Sequence, residues 1–203
     1  GAGKSTLMKV LAGIHQASSG RVYIRGEEQQ LLSTQQSQDM GIAMIHQELM
    51  YVPDLSIAEN MYLGHEPELT RFGFVDKRRL YRDTEQALSR LGLEFSPDEM
   101  MRNLNVSQRQ LIEIAKAISR NADILIMDEP TSALEDREIE RLFEIMRGLT
   151  ERGAGIIYIS HKMKEIFSIA DDYTVLRDGR LVGSGRIKDT TQQEVIASMV
   201  GRP

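Results

Sequence analysis

Gly1-Ala2-Gly3-Lys4-Ser5-Thr6 forces a tight backbone turn directly into a helix, because residues 5–13 (STLMKVLAG) carry a helical pattern that Gly13 stops. Glycines let successive N–H groups curl around an anion, and the helix start aims its positive end at the same place. Lys4 can reach the β- and γ-phosphates of a nucleotide as a point charge, and Ser5 can offer its hydroxyl to Mg²⁺. The bland alternative is a glycine turn before a surface helix. The chain begins inside this motif, without an initiator methionine, and is read as part of a longer polypeptide.

A second run complements the first. Ile124-Leu125-Ile126-Met127 has the length and the unbroken apolar character of a buried strand, and it ends in Asp128-Glu129. Such a strand delivers two carboxylates at its exposed end. Asp128 suits Mg²⁺, and Glu129 suits polarising an attacking water as general base. Taken alone, the run could be a core strand that ends in solvated acids.

The remaining pattern is α/β, interrupted by helices. Strands are expected at Arg21–Arg25, Gly41–Ile45 and Gly155–Ile159. The stretch from about 52 to 120 reads as wholly helical. It holds a capping box at Ser56–Glu59, a helix at Arg78–Leu91 stopped by Gly92, and a helix at Ser107–Ile118 with Ser107 and Gln110 as a second capping box. Residues 137–152 read as an amphipathic helix ended by Gly153. Asp178-Gly179 between Tyr173–Arg177 and Arg180–Gly183 signals a type I′ hairpin, and 192–200 closes with helical spacing. Gln47, just past a strand, and His161, just past Ser160, are placed where they could touch Mg²⁺, water or a γ-phosphate. Each alone is better read as a plain surface or packing residue, and His15, His46 and His65 carry only that reading.

Composition removes several function classes. The 203 residues include no cysteine, so thiol catalysis, disulfides and Cys-based zinc sites are excluded. A net charge of −5 gives no basic footprint for nucleic acid. No apolar stretch approaches the roughly 20 residues that span a bilayer, so any membrane role is expected to be peripheral.

With these elements in order, the chain resembles the ATP-binding cassette (ABC) ATPases along essentially its whole length. The family order is phosphate loop (Gly1–Thr6), Gln loop (Gln47), signature (Leu104–Gln108), Asp-Glu strand (Ile124–Glu129), D-loop (Ser132–Glu135) and switch histidine (His161). The implied fold is an α/β P-loop NTPase. It would have a RecA-like core lobe (1–51 and 121–203), an inserted α-helical signature subdomain (52–120) and a small β-hairpin element, together one nucleotide-binding domain over 1–203. The implied ligands are ATP and Mg²⁺. Gly1, Ala2, Gly3, Lys4, Ser5 and Thr6 would hold the nucleotide. Asn105, Val106, Ser107 and Gln108 would face the nucleotide of an opposing cassette. Ser5, Gln47 and Asp128 would serve the metal, and Glu129, His161 and Gln47 would carry hydrolysis.

A narrower resemblance links the chain to the first cassette of bacterial importers for ribose, galactose, arabinose or xylose. Its carriers are Ile45–Leu49, Ala58–Gly64, Glu113–Ala117, Tyr158–Met163 and Met199–Arg202. It implies a second cassette on the same polypeptide, transmembrane permease subunits, a periplasmic sugar-binding protein and a place on the cytoplasmic face of the inner membrane. Rival readings are a soluble tandem-cassette ATPase acting on ribosomes or DNA, and a nucleotide-binding regulatory module without turnover. The signature reads Leu-Asn-Val-Ser-Gln rather than Leu-Ser-Gly-Gly-Gln, so Val106 lacks the close backbone approach that glycine permits. Slow hydrolysis is expected at the site facing it. Glu135 stands where aspartate is usual in the D-loop.

Overall fold

The computed structural model describes residues 2–30, 33–45, 50–64, 70–71, 74–119 and 122–201. Gly1 and Gln47 therefore lie outside the described residues, as do His46 and His65. The helices are α1 (Lys4–Leu11), α2 (Thr34–Asp39), α3 (Ile57–Tyr62), α4 (Lys77–Arg90), α5 (Val106–Ser119), α6 (Asp136–Glu151), α7 (Met163–Ile169) and α8 (Gln192–Val200). The strands are β1 (Val22–Ile24), β2 (Glu27–Gln29), β3 (Ile42–Ile45), β4 (Thr70–Arg71), β5 (Phe74–Val75), β6 (Ile124–Asp128), β7 (Gly155–Ile159), β8 (Asp172–Arg177) and β9 (Arg180–Arg186).

The apolar run at 124–127 becomes the centre of a parallel sheet ordered β3-β6-β7. A strand buried on both faces needs apolar residues at every position, which is why β6 does not alternate. Leu125 and Met127 pack with Ile45, Ile114 and Ala117 and with Leu142, Phe143 and Met146 of α6. Ile126 packs on the other face with Met8 of α1, Ile24, Ile42 and Ile159. Leu125, Ile126 and Met127 are each 0–2% exposed. Burying each such side chain contributes about 2 kcal/mol.

Helix α1 runs back along this sheet. Ser37 in α2, a few residues before β3 begins, donates its hydroxyl to the Leu11 carbonyl at 2.7 Å. The C-terminal end of α1 is thereby set at the amino edge of the strands, and its N-terminal end points toward their carboxyl edge.

The helices of 57–115 enclose their own cluster, in which Ile57, Met61, Leu88, Met101, Ile112 and Ala115 are buried. The expected capping box is present: Ser56 Oγ accepts from Glu59 N–H at 3.2 Å, and Glu59 accepts from Ser56 N–H at 2.9 Å. Buried Asn60 orders the entry to α3. It accepts from Val52 N–H at 2.8 Å and donates to the carbonyls of Val52, Leu55 and Ser56.

Several expectations are corrected. The stretch 52–120 is not wholly helical, because β4 and β5 pair as a short hairpin within it. The strand expected at Arg21–Arg25 ends at Ile24, and β2 pairs back to it across Arg25-Gly26, both at positive φ (54° and 82°). Helix α2 carries no apolar periodicity and starts from a Ser33 cap, and α7 starts at Met163 without a side-chain cap. The Asp178-Gly179 turn is as expected, with φ of 51° and 73°.

Replacing Asn60 with alanine would orphan the Val52 amide and strip one of two donors from each of the Val52, Leu55 and Ser56 carbonyls. Asn60→Ala should destabilise the protein by about 3 kcal/mol in denaturant unfolding.

Candidate functional site

Three features meet the carboxyl edge of the parallel sheet. The first is the end of β6. Side chains alternate along a strand, so Asp128 shares the α1 face with Ile126. Met8 touches that face one helical turn beyond Lys4, which brings residues 4–5 to the level of Asp128. Asp128 is 6% exposed, and no cation or donor among the described residues pairs with its carboxylate.

The second feature is the start of α1. Gly3 is left-handed at φ 87° and supplies no side-chain cap, so it does not cover the first-turn N–H groups. A Cβ on Gly3 would sit 3.4 Å from Gly179 Cα, and Gly179 N–H donates to the Ala2 carbonyl at 3.3 Å. The β8–β9 turn therefore braces the loop from outside. Ser5 and Thr6 are exposed and Lys4 is half-buried.

The third is the Glu129–His161 pair. Glu129 turns the chain out of β6 at φ 49°, a left-handed conformation that a non-glycine residue adopts at a cost. Its N–H donates to the Ile159 carbonyl at 2.9 Å, which ties the ends of β6 and β7 together. His161 Nδ1 donates to Glu129 Oε1 at 3.1 Å.

Beneath this pair lies a cluster that the sequence did not reveal. The Glu165 carboxylate, on α7, accepts from Thr131 Oγ1 at 2.8 Å, Tyr158 OH at 2.6 Å, Ser160 Oγ at 3.2 Å and Lys162 Nζ at 2.9 Å. Burial alone would raise its pKa; the donors Tyr158, Lys162 and Thr131 outweigh that and hold it below the ordinary glutamate range. Burial first, and then the bond to Glu165, push Tyr158 well above the ordinary tyrosine range.

The signature segment is built differently from expectation. Helix α5 begins at Val106, and its cap is Asn105, not Ser107. Asn105 Oδ1 accepts from Gln108 N–H at 2.8 Å while Gln108 Oε1 accepts from Asn105 N–H at 2.9 Å. Ser107 donates its hydroxyl to Asn105 Oδ1, and Gln110 is buried inside the helix packing rather than reaching back to a cap. No hydrogen bond or ion pair among the described residues joins Asn105–Gln108 to the Asp128–Glu129–His161 edge. Gly1 and Gln47 fall outside the described residues, although β3 ends two residues before Gln47.

Residues 1–132 match the profile of the family described as ABC transporter. This chain belongs to the ABC transporter family. It is 50% identical over 202 residues to a ribose/galactose/methyl galactoside import ATP-binding protein of Agrobacterium fabrum, covering 100% of this chain and 39% of that protein. It is 48% identical over 202 residues to a similarly named protein of Burkholderia lata, covering 100% of this chain and 38% of that one. The chain thus spans about two fifths of the length of the curated relatives it matches. Among solved structures, a nucleotide-free ATP-binding cassette from an ABC transporter superposes with a TM-score of 0.81 at 21% identity, covering 100% of this chain and 81% of that chain. The cassette fold is therefore that of ABC transporters, and no helix among the described residues is long and apolar enough to cross a membrane.

Two measurements test the local chemistry. Asn105→Ala should cost about 1 kcal/mol of stability through the lost cap, and Ser107→Ala less than about 0.5 kcal/mol, in chemical denaturation. The folded pKa of Glu165 is depressed, so its stabilisation is complete above the ordinary glutamate range and disappears as pH falls through the folded value. Acid unfolding of Glu165→Gln should be less steep than that of the native protein in that window.

Proposed function

We propose that this chain is the ATP-hydrolysing cassette of a bacterial monosaccharide importer. The observation that carries the reading is the Glu129–His161 pair, held 3.1 Å apart at the strand end that also bears Asp128 and facing the level of the α1 N-terminus. The names of the relatives, which print ribose, galactose and methyl galactoside import, support the sugar class.

In this reading Gly1, Ala2, Gly3 and Thr6 cradle the phosphates with backbone N–H groups, and Lys4 neutralises charge on the β- and γ-oxygens. Asp128 fits a cation: it is a buried carboxylate with no protein counter-charge among the described residues, and leaving it so is costly. Mg²⁺ would be held by Ser5, Asp128 and Gln47, and when bound would offset phosphate charge. Glu129 accepts a proton from the attacking water, and His161 orients Glu129 through Nδ1 and lies beside the γ-phosphate. Catalysis then rests on positioning and electrostatics, the usual route for phosphoryl transfer.

Residues 52–120 act as the signature subdomain of a two-lobed domain, with 1–51 and 121–203 as the core. Asn105, Val106, Ser107 and Gln108 are presented to the nucleotide of a second cassette on the same polypeptide, and that cassette's signature completes the present site. Transmembrane permease subunits receive the closure through Gln47 and the helical subdomain, and a periplasmic sugar-binding protein acts from the far side. The chain then sits at the cytoplasmic face of the inner membrane. The acidic net charge of −5 argues against action on ribosomes or DNA, and the oriented Glu129 argues against a module without turnover.

In the full-length protein with its permease, Glu129→Gln should retain ATP binding while turnover falls at least about 100-fold. Unchanged turnover would remove Glu129 from the chemistry. Stimulation of the ATPase by a monosaccharide and its binding protein checks the importer assignment.

A further inference from the structure

We infer that Glu165 is a positioning residue for hydrolysis, a buried carboxylate clamp that sets the geometry of Glu129 and His161 without touching the nucleotide; this rests on the ATPase reading above. Glu165 sits on α7, and its side chain is 9% exposed. A carboxylate can only accept, and this one takes four donors from two chain segments, Thr131 and the stretch 158–162. Thr131 belongs to the loop leaving β6, two residues after Glu129. Tyr158 lies in β7. Ser160 and Lys162 flank His161 on either side. The clamp therefore grips the downstream flank of Glu129 and both flanks of His161.

The ties are redundant and mutually oriented. Thr131 Oγ1 lies within bonding distance of both carboxylate oxygens, at 3.0 and 2.8 Å. Lys162 Nζ bonds Glu165 at 2.9 Å and also donates to the Thr131 carbonyl at 3.2 Å. Ser160 Oγ donates to Glu165 and accepts from Lys162 N–H at 3.0 Å, which closes the turn that carries His161. Tyr158 is fixed from behind by an edge-on contact with Phe143, ring centroids 6.0 Å apart.

Stability alone is a poor reason to bury such a charge. Desolvating ions is expensive, and well-packed apolar residues usually do as well or better. What apolar residues cannot do is fix the segments leaving β6 and β7 in one register. Glu129 needs that fixing, because its left-handed backbone is held only by what surrounds it. A shift of about 1 Å in a reacting group can cost as much as 100-fold in rate. The phosphate loop at residues 2–6 makes no bond to the clamp among the described residues. Loosening the clamp should therefore act on turnover and leave nucleotide binding intact.

The test uses the full-length protein with its permease, steady-state ATPase kinetics, binding of the fluorescent analogue TNP-ATP, and thermal unfolding. Glu165→Gln and Thr131→Val should each lower kcat by roughly 10- to 100-fold. The KM for ATP and the TNP-ATP affinity should stay within about twofold of native, the pattern of an interaction made only in the transition state. Thr131→Ser, which keeps the hydroxyl, should restore kcat to within about threefold of native. Near-native kcat in Glu165→Gln and Thr131→Val, with Glu129→Gln inactive, would overturn the clamp while sparing the ATPase reading. So would a Thr131→Ser as slow as Thr131→Val, or a loss of TNP-ATP affinity matching the loss of turnover, since either points to general loosening. Native turnover in Glu129→Gln would sink both.

Discussion

A strand with no solvent face must be covered twice, and that requirement on β6 organises this protein. Leu125 and Met127 demand α5 and α6 on one side, while Ile126 demands α1 on the other. Once both layers are in place, polar groups are left to the two ends of the strand, Asp123 before it and the carboxyl end after it. Asp128 and Glu129 appear there because the apolar run stops there. The same alternation that buries Ile126 against Met8 turns Asp128 toward the start of α1. Packing and chemistry are thus set by one run of six residues, 124–129.

Much of this was legible from residue pattern. The central strand, the glycine loop before α1, the Ser56–Glu59 box and the Asp178-Gly179 turn each announce themselves locally, through spacing or backbone need. The failures share a cause. Helix α2 reads TQQSQD, which has no apolar stripe, so only its Ser33 cap and the Ser37 bond to α1 reveal it. The β1–β2 turn puts arginine at a left-handed position where Asn, Asp or Gly would have signalled a hairpin. At the signature, Asn105 and Ser107 each have a glutamine three residues on. Only the burial of Gln110 decides which pair caps α5.

Glu165 shows the deeper limit. In sequence it is a helix glutamate three residues after a lysine, the ordinary look of a solvated face. Its partner Thr131 is 34 residues away along the chain, and only the pairing of β6 with β7 brings it beside Tyr158 and Glu165. No local signal marks a carboxylate whose meaning comes from who surrounds it. The strained Glu129 is invisible for the same reason, since a glutamate carries no hint of a positive φ.

The bond between Gly179 and Ala2 has a mechanical corollary. Arg177 donates to the Ser198 carbonyl at 2.9 Å, and a Cβ on Gly201 would meet the Arg177 guanidinium at 2.5 Å, so the end of α8 leans on this arginine. Arg177, Asp178 and Gly179 are consecutive, and Gly179 holds the loop at Ala2. A tug on the tail of α8 has only that short, hydrogen-bonded lever to travel before it reaches the glycine loop. The last helix is wired to the first turn as a strain gauge is to its bridge.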